Sequence, residues 1–194
     1  MRFTVRSAEN LPIRGNLDVP RGARALVMLI GRPISFFPWL AEVLCADGFA
    51  VCRSDSDNLD DVRAALRHCQ TRVALPTFLF GYARGGDVAI LAAENVLNLR
   101  GVITWSASAR LNGYDVLKAA SHLRVPLLVI HGERDESVPF SASSELVAAA
   151  PEASRVIIST ATHTYNSGHP LVHVPRELML ATDVTARFIG AYAS

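Results

Sequence analysis

Four stretches of the 194-residue chain carry residue types that can do chemistry together. Phe80-Gly81-Tyr82-Ala83-Arg84-Gly85-Gly86 has glycines two before and two after a central residue. That is the spacing of G-x-S-x-G, a sharp strand-to-helix turn that presents its central side chain as a nucleophile. The centre here is Ala83, whose methyl group cannot attack a carbonyl. His131-Gly132-Glu133-Arg134-Asp135 supplies a carboxylate, and Ala161-Thr162-His163-Thr164-Tyr165 supplies an imidazole 28 residues later. In an acyl-transfer site Asp135 would orient His163 and stabilise its imidazolium, and His163 would act first as base, then as acid. Ile30-Gly31-Arg32-Pro33 lies where an oxyanion loop belongs. The backbone N–H groups of Arg32 and Arg84 are the expected oxyanion donors, since Pro33 has none.

Each residue also has a plainer reading. His163 is otherwise a loop histidine bound to backbone, Asp135 a turn residue before Pro139, and Arg32 a solvated loop residue. His163, His169 and His173 stand six and four apart, which fits no zinc pattern. Cys52 reads as core, and Ser35 and Ser106 sit at strand ends without an elbow. Tyr82 and Trp105 are expected to line or underlie the pocket, or to be ordinary core. Gly85-Gly86 belongs to no phosphate loop, because neither G-x-G-x-x-G nor G-K-[ST] is present.

The elements that must position these residues alternate in type. Extended segments are expected at 3–7, 11–20, 25–30, 50–54, 77–82, 100–105, 125–131 and 154–160. Helices are expected at 37–48, 59–69, 86–95, 114–122, 141–149 and 178–193. Ala25–Ile30 is continuously apolar, as in a strand buried on both faces. In the first helix Trp39, Leu40, Val43 and Leu44 can share a face; in the last, Leu180, Val184, Phe188 and Ile189 are expected inward. Asp60 and Asp61 open the second helix, matching its dipole. After an N-terminal hairpin the pattern is a repeated βα unit, hence a mostly parallel sheet with helices on both faces. The long irregular stretch 161–177 holds His163, and long ordered loops are often functional.

Composition narrows the partners. Half of the residues are apolar, and 19 basic against 18 acidic residues give a net charge of +1. Neither disorder nor a bulk pull toward nucleic acid or anionic membrane follows. No apolar run reaches the roughly 18–20 residues of a membrane helix. The N-terminus shows no secretory h-region, and three cysteines suit free thiols, so a cytoplasmic location is expected. The expected partner is a small molecule, with no cofactor, metal, nucleic acid or membrane.

The sequence resembles a small α/β-hydrolase of the compact dienelactone-hydrolase-like or esterase-like bacterial type. GYARGGDVAILAA resembles the elbow and its helix, VITWSA the following strand, VPLLVIHGERDESVP the acid segment, and THTYNSGHP the histidine loop. LPIRGNLDVP and residues 36–54 resemble the second strand and the segment around the first helix. The resemblance implies a single α/β-hydrolase domain over 1–194 and a serine-hydrolase mechanism on small esters or related acyl compounds; the short connection from Trp105 to Val125 leaves room for a minimal lid or none. Two departures stand out: Ala83 at the nucleophile position, and Ile30 where a histidine is usual. Ala83 is either a replaced serine in a working hydrolase or the mark of a natural homologue that lost covalent catalysis and binds without turnover.

Overall fold

The computed structural model describes residues 1–7 and 9–193. Eight strands form one sheet: β1 (Arg2–Arg6), β2 (Pro12–Asp18), β3 (Leu26–Ile30), β4 (Ala50–Ser54), β5 (Thr77–Tyr82), β6 (Leu99–Trp105), β7 (Leu127–Gly132) and β8 (Ala153–Ile158). Five helices connect strands, α1 (Phe37–Ala46), α2 (Leu59–Gln70), α3 (Arg84–Ala92), α4 (Val116–Ser121) and α5 (Ser141–Ala149), and α6 (Arg176–Tyr192) follows β8. The strand order is β1-β2-β4-β3-β5-β6-β7-β8. β1 and β2 pair antiparallel, as do β2 and β4; every other neighbouring pair is parallel.

Strand alternation divides the core into two layers. Leu26, Met28 and Ile30 of β3 face α2, α3, α4 and α5; Val27 and Leu29 face α1 and α6. Both faces being covered explains why every residue of β3, β5 and β7 is buried and why each strand carries an apolar run, LVMLI, FLF and LLVI. The α1 stripe is Phe37, Leu40, Ala41 and Leu44. Trp39 and Val43, expected on the inner face, are half-buried at its edge.

Most differences from the expected elements lie at ends and have local causes. α3 starts at Arg84, two residues early, because Ala83 itself is the N-cap, with φ 50° and ψ −124°. It stops at Ala92, short of Asn95, whose φ of 63° leaves the helical region. α4 starts only at Val116, where the Asp115 carboxylate accepts from the Lys118 amide at 2.9 Å. β7 starts after Pro126, whose missing N–H bars it from the ladder as a donor. α6 takes in Arg176 and Glu177, which shortens the histidine loop. Its buried stripe is Leu178, Ala181, Thr182, Thr185 and Ile189. Val184 and Phe188 flank that stripe half-buried, whereas Leu180, expected inward, is 42% exposed. The helix is in register from Leu178, so Leu180 falls about 200° round the wheel from it. Inside, the Trp105 Nε1–H donates to Thr185 Oγ1 at 3.0 Å and ties α6 to β6.

Candidate active site

The four candidate stretches meet at the C-terminal ends of β3, β5, β7 and β8, where open parallel sheets place their sites. The elbow is built by close backbone approach. A Cβ on Gly81 would overlap the Gly85 carbonyl, and one on Gly85 would overlap the Ile30 carbonyl. Both glycines are therefore fixed by crowding, and the elbow is pressed against the Ile30-Gly31-Arg32 loop. Ala83 sits at the apex with a positive φ that side-chain-bearing residues rarely adopt. Its amide donates to the Trp105 carbonyl at 2.8 Å, and its carbonyl accepts from the Gly86 amide at 2.9 Å.

Across from the elbow, His163 Nδ1 lies 3.0 Å and 2.9 Å from the two carboxylate oxygens of Asp135. The bond assigns the proton to Nδ1 and leaves the Nε2 lone pair for a proton in transit. The Asp135 side chain is 1% exposed and that of His163 16%. Burial pushes the Asp135 carboxyl up. The Val138 amide, His163, the Ser106 hydroxyl and the Ser137 amide together outweigh that and hold it below the usual carboxylate range. The amide bonds are 2.8 Å from Val138 and 2.9 Å from Ser137. Tyr82, the residue before the apex, supports the imidazole: its ring centroid lies 5.2 Å from that of His163, and its hydroxyl donates to the His163 carbonyl at 3.3 Å. Burial, with Asp135 and Glu136 nearby, pushes the Tyr82 phenol well above its ordinary value, so it stays protonated.

His131, at the end of β7, lies fully buried behind Asp135. Its Nε2 is 3.2 Å from the Val138 carbonyl and 3.5 Å from Asp135 Oδ2. Burial lowers its pKa, which keeps the ring neutral with Nε2–H donating to Val138.

The other candidates fall outside the chemistry. Trp105 is completely buried and lines nothing. Its contacts are Phe36, Phe80 and Tyr165, because inward-facing β6 positions point under α6. Cys52 and Cys69 are buried, Cys45 is half-buried, and all three thiols are free. The Ser35 hydroxyl donates to the Gly168 carbonyl at 2.8 Å, tying the oxyanion-side loop to the histidine loop. Ser106 is fully buried with its hydroxyl 3.4 Å from that of Tyr165 and within reach of Asp135, so it is a support of the acid rather than a nucleophile. Among the described residues no group of three or more His, Cys, Asp or Glu could hold a metal ion. No helix among them is long and apolar enough to cross a membrane.

The roles of three site residues were not legible in the sequence. Asp57 follows β4 and lies 3.7 Å from Arg32 Nε and 3.5 Å from Arg84 Nε. Its position just past a strand's C-terminal end was the available signal. Ser106, with φ 49°, supports Asp135 through its hydroxyl, and Tyr165, with φ 55°, holds its own hydroxyl 3.4 Å from that of Ser106. Tyr165 donates to the Ile130 carbonyl at 3.1 Å, which also takes the Ser106 amide at 2.9 Å. Nothing in their spacing announced that role. A cleft of ≈ 1030 Å³ opens beside α3 and α4 near the start of β6, and it shares no residue with this site.

No protein-family model matches the sequence, and no curated protein matches it. Solved structures do. The esterase domain of a Rhodothermus marinus protein superposes with a TM-score of 0.81 at 19% identity, over 100% of this chain and 99% of that one. The dienelactone hydrolase of Anabaena variabilis gives 0.78 at 21% identity, over 99% and 98%. An alpha-beta serine hydrolase homologue from Coxiella burnetii gives 0.75 at 15% identity, over 96% of each. The eight-stranded sheet, the N-terminal hairpin and near end-to-end coverage at this chain length lead to one conclusion: the chain has the α/β-hydrolase fold in its compact, dienelactone-hydrolase-like form.

Proposed function

We propose that the protein is a serine-hydrolase-type site for small esters or related acyl compounds from which the nucleophile has been removed. The observation that carries this reading is the pairing of an elbow still strained at Ala83 with an intact two-oxygen Asp135–His163 hydrogen bond. Strained backbone costs on the order of 1–3 kcal/mol and persists where its surroundings over-determine it. With a hydroxyl at position 83, His163 Nε2 would take its proton as the oxygen attacks an acyl carbon. The oxyanion would receive the Arg32 and Arg84 amides, and His163 would return the proton to the leaving alkoxide. Water would then repeat the cycle to release the acid. The esterase and dienelactone-hydrolase names of the structural neighbours support this substrate class.

The chain as written has no group to form an acyl-enzyme, so it should bind esters and turn them over slowly or not at all. That residual behaviour is the second reading, a non-catalytic binding protein on the same scaffold, and Ala83 itself favours it. The paired assay separates the two. Ala83→Ser is expected to raise turnover of short-chain nitrophenyl esters by at least ~100-fold over the unmutated chain, well within what triad catalysis supplies. Circular dichroism confirms that both are folded. Equal, background-level rates from two folded proteins would reject the hydrolase reading and leave the binding one.

A further inference from the structure

Two imidazole nitrogens approach Asp135 Oδ2: His163 Nδ1 at 2.9 Å and His131 Nε2 at 3.5 Å. The first is a hydrogen bond. The His131 Nε2–H is instead given to the Val138 carbonyl at 3.2 Å. Val138 is therefore gripped twice, because its own amide donates to Asp135 Oδ1 at 2.8 Å. The contacts run in series: β7 holds Val138 through His131, Val138 holds the carboxylate, and the carboxylate holds His163. The Ser137 amide, 2.9 Å from the same Oδ1, lies on the turn that the His131–Val138 bond closes. The carboxylate cannot swing away from His163 while these two amides are kept in place.

The imidazole is costly where it stands. It is fully buried, and its Nδ1 has no hydrogen-bond partner. A buried acceptor without a donor is destabilising. A phenyl ring would fill the same space edge-on to Phe140, whose ring centroid is 6.1 Å away, without that orphan. Packing therefore does not account for a histidine at this position. What it supplies and a phenyl ring does not is one N–H at a fixed place. The ring must also stay neutral, since a cation 3.5 Å from Oδ2 would compete with His163 for the carboxylate. Burial favours the neutral form.

We propose that His131 is a positioning residue for the Asp135–His163 pair: its Nε2–H anchors Val138 and so fixes the carboxylate against the His163 Nδ1–H. Its effect on turnover rests on the proposed function; its effect on the geometry of the pair does not.

Two readouts on the unmutated chain need no turnover. Long-range proton–nitrogen NMR correlations give the tautomer of each histidine, and His131 should be neutral at neutral pH with its proton on Nε2. The Nδ1 proton of His163, hydrogen-bonded to Asp135, should give a low-field signal in water. His131→Phe keeps a ring but removes the N–H, and should shift that signal upfield or broaden it away. His131→Gln, whose amide N–H can reach the Nε2 position, should restore it. In the Ala83→Ser background, His131→Phe should lower kcat by about 10-fold with KM unchanged, and His131→Gln should recover it to within about 3-fold. A role in packing alone would lower the folded fraction and leave both the signal and kcat per folded molecule as they were. A His131 proton on Nδ1, a charged His131 ring, a folded His131→Phe with signal and kcat unchanged, or a folded His131→Gln no better than His131→Phe would each overturn the proposal. The tautomer spectrum decides the matter even if neither variant folds. If Ala83→Ser is inert but the His163 signal follows the His131 variants, the proposed function falls and the positioning role stands. If Ala83→Ser is active and His131→Phe changes nothing, the reverse holds.

Discussion

Two aspartates are buried, one after β7 and one in the first turn of α3, and the protein treats them differently. Asp135 is held below the ordinary carboxylate range although burial opposes it. Asp87, in the first turn of α3, is pushed up to about 6, mainly by burial. The Ser108 hydroxyl donates to its Oδ2 at 2.6 Å and pulls the other way, as do the Ser108 and Ala109 amides and the Arg84 charge. Its Oδ1 has no hydrogen-bond partner. Both side chains are almost wholly out of solvent, but Asp87 lies deeper among protein atoms. Donor supply differs as well. Asp135 has two amides, an imidazole N–H and a hydroxyl around it; Asp87 has the Ser108 hydroxyl and the Ser108 and Ala109 amides, and its Oδ1 is left without a donor. A buried carboxyl takes its charge state from the balance between its depth and the donors aimed at it. The charged one sits where an imidazolium would need it, and the other sits behind the elbow where no proton transfer requires it.

That contrast can be broken from either end. The largest effect belongs to Asp135→Asn in the Ala83→Ser background. The amide would present the wrong partner to Nδ1, and kcat should fall by ~10³–10⁴-fold. A fall below tenfold, read from steady-state kinetics, would mean that Asp135 does not orient His163. A middle-sized effect is expected on the stability profile of the unmutated chain. Asp135, with its folded value depressed, contributes stability present above its unfolded value (~3.9) and lost as pH falls below it. Asp87, raised when folded, has the opposite sign. Its relative contribution is full below ~3.9 and is lost as pH rises toward about 6. Asp87→Asn should therefore flatten the pH 4–6 part of a urea-unfolding series while leaving the acid limb due to Asp135. An unchanged slope would show that Asp87 titrates normally. The smallest effect is Ser108→Ala, which removes the strong donor of Asp87 and should move its titration, followed by carboxyl NMR, still higher than about 6. A downward move would contradict the donor account.

The sequence made the strands and the elbow legible because these depend on local pattern. Apolar runs mark β3, β5 and β7, and the Gly81/Gly85 spacing reflects crowding that any residue with a Cβ would worsen. Asp135 and His163 were nameable as a pair because chain order constrains them, although their 2.9 Å contact is visible only in the fold. What stayed hidden was set by tertiary context. Leu180 lost its inward place because α6 starts at Arg176 and its stripe is set by Leu178. Pattern left Trp105 open between pocket and core, and packing against Phe36 and Tyr165 makes it core. Asp57 became visible only when the loop after β3 and the first turn of α3 brought Arg32 and Arg84 to it. A charged run such as Asp55-Ser-Asp57 carries no such information in one dimension.

The Ser35–Gly168 bond has a kinetic consequence. It joins loops 133 residues apart in sequence, so it closes only after the strands between them have assembled. The two rims of the site are thus joined by a contact that forms late in folding and opens early in local fluctuations. The bond is exposed and worth about 0.5–1.5 kcal/mol, so this join across the rim is weak beside the packing of β3 to β8 beneath it.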